Sequence, residues 1–450
     1  MARLPVVGAD AQQWGTLLNE YLRVAHREDG TPRGTAEYLD PRDFGAVGDG
    51  VTDDSAAFAA CLTAASNDGR TVFIKAGMNI RVTTNLFIHG QASLLGESKR
   101  HCQITLDAPL PLASFAYWIN FGIPGKGEPP DTWTGRVQNL RFVTTSNALG
   151  TRAYLQVIQF HKAHDFAFED CVIDLTALGH APAAAMVSQI DGNWCSNPGT
   201  AQGRIVNNIV IGQSDGNPST GGSGGINLVG LDRGLIAGNR VEGFADDAIA
   251  LIDCHHCIVR DNWVKGVRSR IAAFSGSDVT FMANYLERQA GHDGVWVTDT
   301  DFYAAYLAGP SSAAPENIKF IGNTAVLPAA APGGGYHNFL DLGGVRGCVA
   351  SGNIFINDSN QANPPRLLTW VFTAFPTWVD PTGKDPQGKS RPCRVVLTNN
   401  LLIGQYPGRI EEAAVIATDL VGPIVYQGNL AGSYNIIGTN SQLEDTNKVL

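Results

Sequence analysis

This sequence is short of charge. Asp, Glu, Lys and Arg make up only 16% of it, well below the usual share in a soluble domain. It contains no run of about 18 apolar residues, which excludes a membrane-spanning helix and gives no membrane partner. The opening MARLPVVGAD has no apolar stretch of the kind that heads a secretory leader. The expectation is a protein that stays inside, leaves by lysis or on a particle, or has lost a leader, with an extracellular or virion-associated place of action. The eight cysteines (Cys61, Cys102, Cys171, Cys195, Cys254, Cys257, Cys348 and Cys393) follow no framework spacing, so buried reduced thiols are expected rather than disulfides. A net charge of −10 and a pI near 5.4 leave no basic footprint for nucleic acid. The same balance argues against a strongly anionic substrate unless a local basic patch overrides it.

What the sequence does have is turns and short apolar strands. It carries 51 glycines in 450 residues and 44% apolar content. Asn-Gly, Asp-Gly and Gly-Gly pairs recur throughout, which favours β-architecture with many tight turns over a helical protein. A solenoid of this length can be one body. Residues 1–36 form a first zone. Asp10 can cap a helix whose apolar Trp14, Leu17, Leu18, Tyr21 and Leu22 fall on one stripe, with Gly30 able to end the segment. A lone helix of this size is marginal, so its stripe is expected to rest on the body or on a neighbouring subunit. A second zone, DFGAVGDGVTDDSAAFAACLTAA, opens at Asp43. Gly45, Gly48 and Gly50 permit a tight loop, Thr52 or Asp53 caps a helix over about residues 53–66, and the alanines let that helix pack closely.

From about residue 70 to 430 a repeat of apolar alternation, Asn, apolar alternation takes over. Its tightest copies hold Asn239, Asn262 and Asn284, spaced 23 and 22 residues apart. Looser copies hold Asn208, Asn323, Asn353, Asn399 and Asn429. Leucine-rich repeats share this period, but their Leu signature is missing and the strands are rich in Val, Ile, Asn and Gly. The chain therefore reads as all-β, a parallel β-helix over 37–450, with loop insertions at about 188–223, 299–316 and 357–392. These insertions hold Trp194, Tyr303, Tyr306, Trp370, Phe375 and Trp378. Such rings can stack on sugars or bury the loops against the body, and Trp194 and Tyr303 are taken as substrate contacts.

Stacking GGINLV (224–229), DDAIAL (246–251), SRIAAF (269–274) and HDGVWV (292–297) puts Asp247, Arg270 and Asp293 close to one column, with Asp246 and His292 in the next. Strands of a parallel sheet lie roughly 4.8 Å apart, so two coils separate Asp247 and Asp293 by roughly 9–10 Å at the backbone. Carboxylates about 6.5–9.5 Å apart suit an inverting glycosidase, one protonating the leaving oxygen and one activating water. Asp246 beside Asp247 raises one of the two pKa values, and Arg270 holds a carboxylate ionised or binds substrate. Arg270, His292 and Trp296 are the expected sugar contacts. The alternative is an Asp–Arg ladder that only satisfies itself on a solvated face. Glu287, Asp299, Asp301 and Asp215 are weaker acids in reserve. Cys254-His-His-Cys257 has a metal-like spacing but no second ligand pair nearby, so no metal is assigned. Calcium enters only if the chemistry is that of a lyase, and no other cofactor is expected.

GADAQQWGTLLNEYLRVAHREDGT resembles segments that precede the body in phage tail proteins and related secreted carbohydrate-binding proteins. DFGAVGDGVTDDSAAFAACLTAA with TVFIKAG resembles the opening of the pectate-lyase-like superfamily, which includes polygalacturonases and phage tailspikes. That resemblance implies a right-handed β-helix whose N-terminal end is covered by the 53–66 helix, and a polysaccharide or oligosaccharide substrate. The N-terminal segment implies a homotrimer. ADDAIAL is similar to the polygalacturonase Asp-Asp motif, which implies acid/base roles for Asp246 and Asp247, and RSRIAAF to that family's Arg-Ile-Lys motif. Where related enzymes carry a third Asp, this chain has Gly224, and no Gly-His-Gly motif is present. HDGVWV is similar to short stretches of fructan-transforming, difructose-forming β-helices. The expected activity is glycoside hydrolysis. The alternatives are a polysaccharide lyase, a fructan-transforming enzyme, or a tailspike-like protein that binds glycan without cutting it.

Overall fold

A computed structural model of the chain describes residues 13–26, 38–108, 117–122, 133–148, 155–161, 163–178, 183–189, 202–212, 224–244, 247–266, 270–288, 296–298, 316–327, 338–342, 346–358, 366–369, 395–404, 409–412, 424–431, 433–435, 441–443 and 447–449. Among these residues the chain is a stack of coils, each contributing three short strands. Every pairing between strands is parallel, and all but one join a strand to its counterpart one coil on. One coil runs Ile226–Val229, Leu235–Ala237, Arg240–Glu242; the next runs Asp247–His255, Ile258–Arg260, Trp263–Gly266. We call these the first, second and third faces. The third face is a 14-stranded sheet, and the first two merge into one of 26 strands. They merge because Arg270–Ser277 reaches round the corner and pairs Ser277 with Glu316 of the second face. The solenoid is the parallel β-helix expected from the repeat.

Alternation decides which side chains enter the core. Strands such as Thr71–Ile74 and Asn79–Val82 alternate half-buried with buried residues, as a sheet with one wet and one dry face requires. The interior is a column of like residues in register. Phe121, Trp133, Phe160 and Phe166 stack with ring centroids 4.5–6.0 Å apart, and Phe281 lies on Phe320 at 5.0 Å. The described cysteines are free and buried, and burial pushes the Cys61 and Cys171 thiols up to about 12.

Two helices precede the coils. Helix α1 spans Trp14–Ala25 and helix α2 Ser55–Asp68. Helix α2 buries Phe58, Cys61, Leu62 and Ala65 against the first coils, closing an end that would otherwise expose core and unpaired backbone. Its N-cap is Asp54 and not Thr52 or Asp53. The Asp54 carboxylate instead accepts from the backbone N–H of Val47 (2.7 Å) and Gly48 (3.1 Å), tying the glycine loop to the helix. Helix α1 starts after Gln13, and Asp10 lies outside the described residues.

The repeat's asparagines form one continuous ladder. Asn208, Asn239, Asn262, Asn284, Asn323, Asn353, Asn400 and Asn429 are each about 1% exposed. Asn239 shows the pattern. Its backbone N–H and its Nδ2 donate to Asn262 Oδ1 (3.0 and 2.9 Å), and Nδ2 also donates to the Ile205 carbonyl (2.8 Å). Its own Oδ1 accepts the same pair from Asn208. The residue before each rung turns in the left-handed region, as Asn207, Gly238, Asp261, Ala283, Gly322, Gly352, Asn399 and Gly428 do. The ladder thus corrects one assignment: Asn399 is the turn residue and Asn400 the rung. Asn447 adds a final rung beyond Asn429.

Extra length enters elsewhere. Between Asn284 and Asn323 the added residues flank the first-face strand Trp296–Thr298. The stretch 188–223 also holds the coil strands Gly203–Val206 and Ile209–Ile211, and 357–392 holds Arg366–Thr369. The added length is therefore split into pairs of shorter insertions, around a first-face strand near 299–316 and in 357–392, and around a second- and third-face pair in 188–223.

Candidate functional site

The first face is where the sequence placed its acids, and the described backbone sets part of that arrangement. Asp247 heads the strand Asp247–His255, Arg270 heads Arg270–Ser277, and the two are register partners on consecutive coils. The register slips just after them: Ile249 pairs with Ile271, so Ala248 is an extra residue in the Asp247 strand. A bulge of this kind re-aims the strand end at a sheet margin. Trp296 heads the next first-face strand. Equal spacing would set it opposite Ala273, but it pairs with Ile271, two residues earlier. Asp246, His292, Asp293, Trp194 and Tyr303 lie outside the described residues, as do Asp215, Asp299, Asp301, Tyr306, Trp370, Phe375 and Trp378. Glu287 is on the third face, where its carboxylate holds Lys265 at 2.6 Å.

One coil towards the N-terminus the chain reads Gly224-Gly225-Ile226-Asn227. A Cβ added at Gly224 would run into the Asn227 amide, and one at Gly225 would lie 2.6 Å from the Ala248 carbonyl. Close packing against backbone therefore requires glycine at 225, whereas a side chain at 224 would have to displace the end of Asn227. Asn227 pairs with Ala250 of the Asp247 strand, and its Oδ1 has no hydrogen-bond partner among the described residues.

A second polar group lies at the corner between the first and second faces, built by left-handed residues stacked coil on coil: Arg233, His256, Asp278 and Asn317, with φ of 52–57°. His256 Nδ1 is 2.6 Å from Asp232 Oδ1, and its Nε2 is 3.6 Å from Asp278 Oδ2. Arg233 Nε donates to Asp232 Oδ2 at 3.1 Å, and Asn317 Nδ2 to Asp278 Oδ1 at 3.3 Å. Asp232 is 5% exposed. Burial works to raise its carboxyl, but hydrogen bonds from His256 and Arg233 outweigh it and hold the group below the usual carboxylate range. The Cys-His-His-Cys motif is divided here. Cys254 and Cys257 face the core, donating to the Leu228 and Leu231 carbonyls, whereas His255 meets Ser277 and His256 joins Asp232. No sequence pattern marked Asp232 or Asp278, because the left-handed turns that gather them leave no residue-type signature. Among the described residues no three His, Cys, Asp or Glu side chains converge as a metal would need, and no helix is long and apolar enough to cross a membrane.

Residues 40–221 match the family described as rhamnogalacturonase A/epimerase, pectate lyase-like. No curated protein matches the chain in sequence. Solved structures similar to it include the A-module of a mannuronan C-5 epimerase from Azotobacter vinelandii (15% identity, 91% of this chain and 99% of that one, TM-score 0.50). A surface adhesin, PfbA, of Streptococcus pneumoniae is similar over 91% of both chains at 11% identity and a TM-score of 0.51. A DFA-IIIase from Arthrobacter chlorophenolicus is similar over 91% of this chain and 99% of its own, at 12% identity and a TM-score of 0.50. At these identities the likeness is one of fold.

Proposed function

We propose that this chain, which belongs to the pectate-lyase-like superfamily of right-handed β-helix proteins, binds a polysaccharide along its first face and hydrolyses it there. The observation that carries this reading is the pairing of Asp247 with Arg270 at the heads of consecutive first-face strands, beside a bulge and between the insertions. A carboxylate and a guanidinium on adjacent strands stand roughly 4.8 Å apart at the backbone, the span over which one sugar unit meets both. In the proposed reaction Asp247 protonates the glycosidic oxygen and Asp293 deprotonates the attacking water, inverting the anomeric centre. Asp246 raises the pKa of its neighbour by like-charge repulsion. Arg270, His292, Trp296, Tyr303 and Trp194 bind the glycan. The protein works as a homotrimer outside the cell or on a virion, as its N-terminal segment and family suggest.

The test is release of reducing ends from a panel of polysaccharides, with ultraviolet absorbance of an unsaturated product as the sign of a lyase instead. Wild-type protein should release reducing ends without that absorbance, and Asp247→Asn should not release them. Normal cleavage by Asp247→Asn sinks the assignment. A second reading, glycan binding without cleavage, is favoured by Gly224, which stands where relatives carry an acid and where a Cβ would run into Asn227. It predicts retention on a glycan column with no product.

A further inference from the structure

The asparagines of the ladder bond both ends of their buried amides to the coils on either side. Three other amide oxygens break that rule, and all three belong to one column of the first face. Asn120 Oδ1, Gln159 Oε1 and Asn227 Oδ1 are buried with no hydrogen-bond partner among the described residues. Asn120 and Gln159 are register partners on consecutive coils, and Asn227 follows two coils on, past Val187. The column points away from the core. Its first member, Phe87, pairs with Asn120 and is 40% exposed, between Leu86 and Ile88 at 1% and 0%. Asn120 and Gln159, outward as they are, are only 1% and 2% exposed, so the groove over them is shut off from bulk water. An amide oxygen so placed costs the fold its lost hydration until a donor reaches it. Asn227 stands one coil from the Asp247 strand. Gln159 and Asn120 stand three and four coils away, roughly 14 and 19 Å. The row therefore leads from the Asp247–Arg270 pair towards the N-terminal end, along the groove itself.

We propose that this row is a set of subsites for an uncharged polysaccharide, an inference that rests on the glycan reading of the first face and narrows it to one substrate class. The unmet groups are acceptors. A sugar hydroxyl donates to an amide oxygen, whereas a carboxylate can only accept and would meet these groups oxygen to oxygen. The column also offers a uronate no counter-charge. From Phe87 through Asn120, Gln159 and Asn227 to Ala250 and Val297 no residue in it is charged, and the first that is, Asp341, carries the wrong sign. Arg270, outside the column, stands in register with Asp247, which balances it. Asn120, Gln159 and Asn227 thus select hydroxyl-rich, neutral sugar units over acidic ones, at a standing cost to the stability of the protein without its ligand.

The test is affinity electrophoresis of the full chain through gels that each hold one polysaccharide: a neutral glucan, xylan, galactan or fructan, or else polygalacturonate or alginate. At least one neutral polymer should retard wild type more than either uronate does. Gln159→Met, which keeps the length of the side chain and loses its oxygen, should weaken that binding about tenfold, the worth of one hydrogen bond. Without glycan the same variant should unfold at a urea midpoint no lower than wild type, because it removes a buried group that nothing satisfies. An amide that served the fold would lower the midpoint. Stronger retardation by a uronate, a variant that binds like wild type, a lowered midpoint or a failure to fold each overturns the inference. Those outcomes leave hydrolysis at Asp247 standing, because Asp247→Asn decides that separately. Retardation by none of these polymers overturns both.

Discussion

The corner between the second and third faces and the margins of the first face differ in what they tolerate. Where the second face meets the third, every coil from Asn208 to Asn447 closes with the same bonded asparagine, whether the next rung lies 18 residues on or 47. Around the first face the register slips at Asp247 and Ile249, and the segments flanking its strands absorb the difference in length. The difference teaches where the fold keeps its stability and where it can change chemistry. A buried rung cannot gain or lose a residue without leaving polar groups unpaired, whereas the margin of a first-face strand can. Substitutions on the two sides should therefore separate activity from stability.

The largest effect expected is on activity. Asp247→Asn should lower turnover about 10³-fold, within the range for loss of a general acid, and leave the melting temperature unchanged. A fall in both would place Asp247 among the residues that hold the fold. The mirror case is Asn262→Leu. Asn262 Oδ1 accepts from Asn239 N and Nδ2, and its Nδ2 donates to the Ile236 carbonyl and to Asn284 Oδ1. Leucine leaves those buried groups unpaired, at a cost of about 3 kcal/mol or more. Urea unfolding should show that loss, while activity per folded molecule stays at the wild-type level. Smaller again, Gly224→Asp puts in the acid that the motif resemblance implies but forces Asn227 aside. Because the atoms it meets are the movable end of Asn227, it should cost at most about 2 kcal/mol, no more than mild overpacking, and add no cleavage. Faster cleavage would mean the glycine marks a lost carboxylate rather than a packing requirement.

The same contrast explains how much could be read from the sequence. The ladder was legible because a buried asparagine between alternating apolar strands repeats in residue type as well as position, and Asn239, Asn262 and Asn284 needed only their spacing. It failed at Asn399, where two adjacent asparagines satisfy the pattern equally and only backbone handedness distinguishes turn from rung. On the first face, equal spacing gave the Asp247–Arg270 partnership but missed the bulge at Ala248, and it set Trp296 two residues out of register. A strand's period of two does not record where an extra residue enters. The Asp232–His256–Asp278 group was invisible for a third reason. His256 and Asp278 hold the same left-handed position on successive coils, and Asp232 the position before it. That position keeps no residue type from coil to coil, and the cysteines drew attention to the wrong side of the strand.

That corner group gives the smallest effect and the sharpest test of sign. Asp232 has its carboxyl held below the ordinary value, because the hydrogen bonds from His256 and Arg233 outweigh the effect of burial. A group depressed in the folded state contributes stability that is fully present above its unfolded pKa and disappears as pH falls through the folded one. The charged and titratable neighbours are Arg233 and His256, with Asp278 beyond the histidine. Asp232→Asn should therefore cost about 1 kcal/mol at neutral pH, the excess of a charged hydrogen bond over the neutral one that Asn keeps. The gap between variant and wild type should close on acidification below the ordinary carboxylate range. Denaturant midpoints measured across that range decide it. If the gap stays constant with pH, the Asp232 carboxylate is held by shape and not by charge, and the corner is a packing feature like the ladder rather than an electrostatic clasp across three coils.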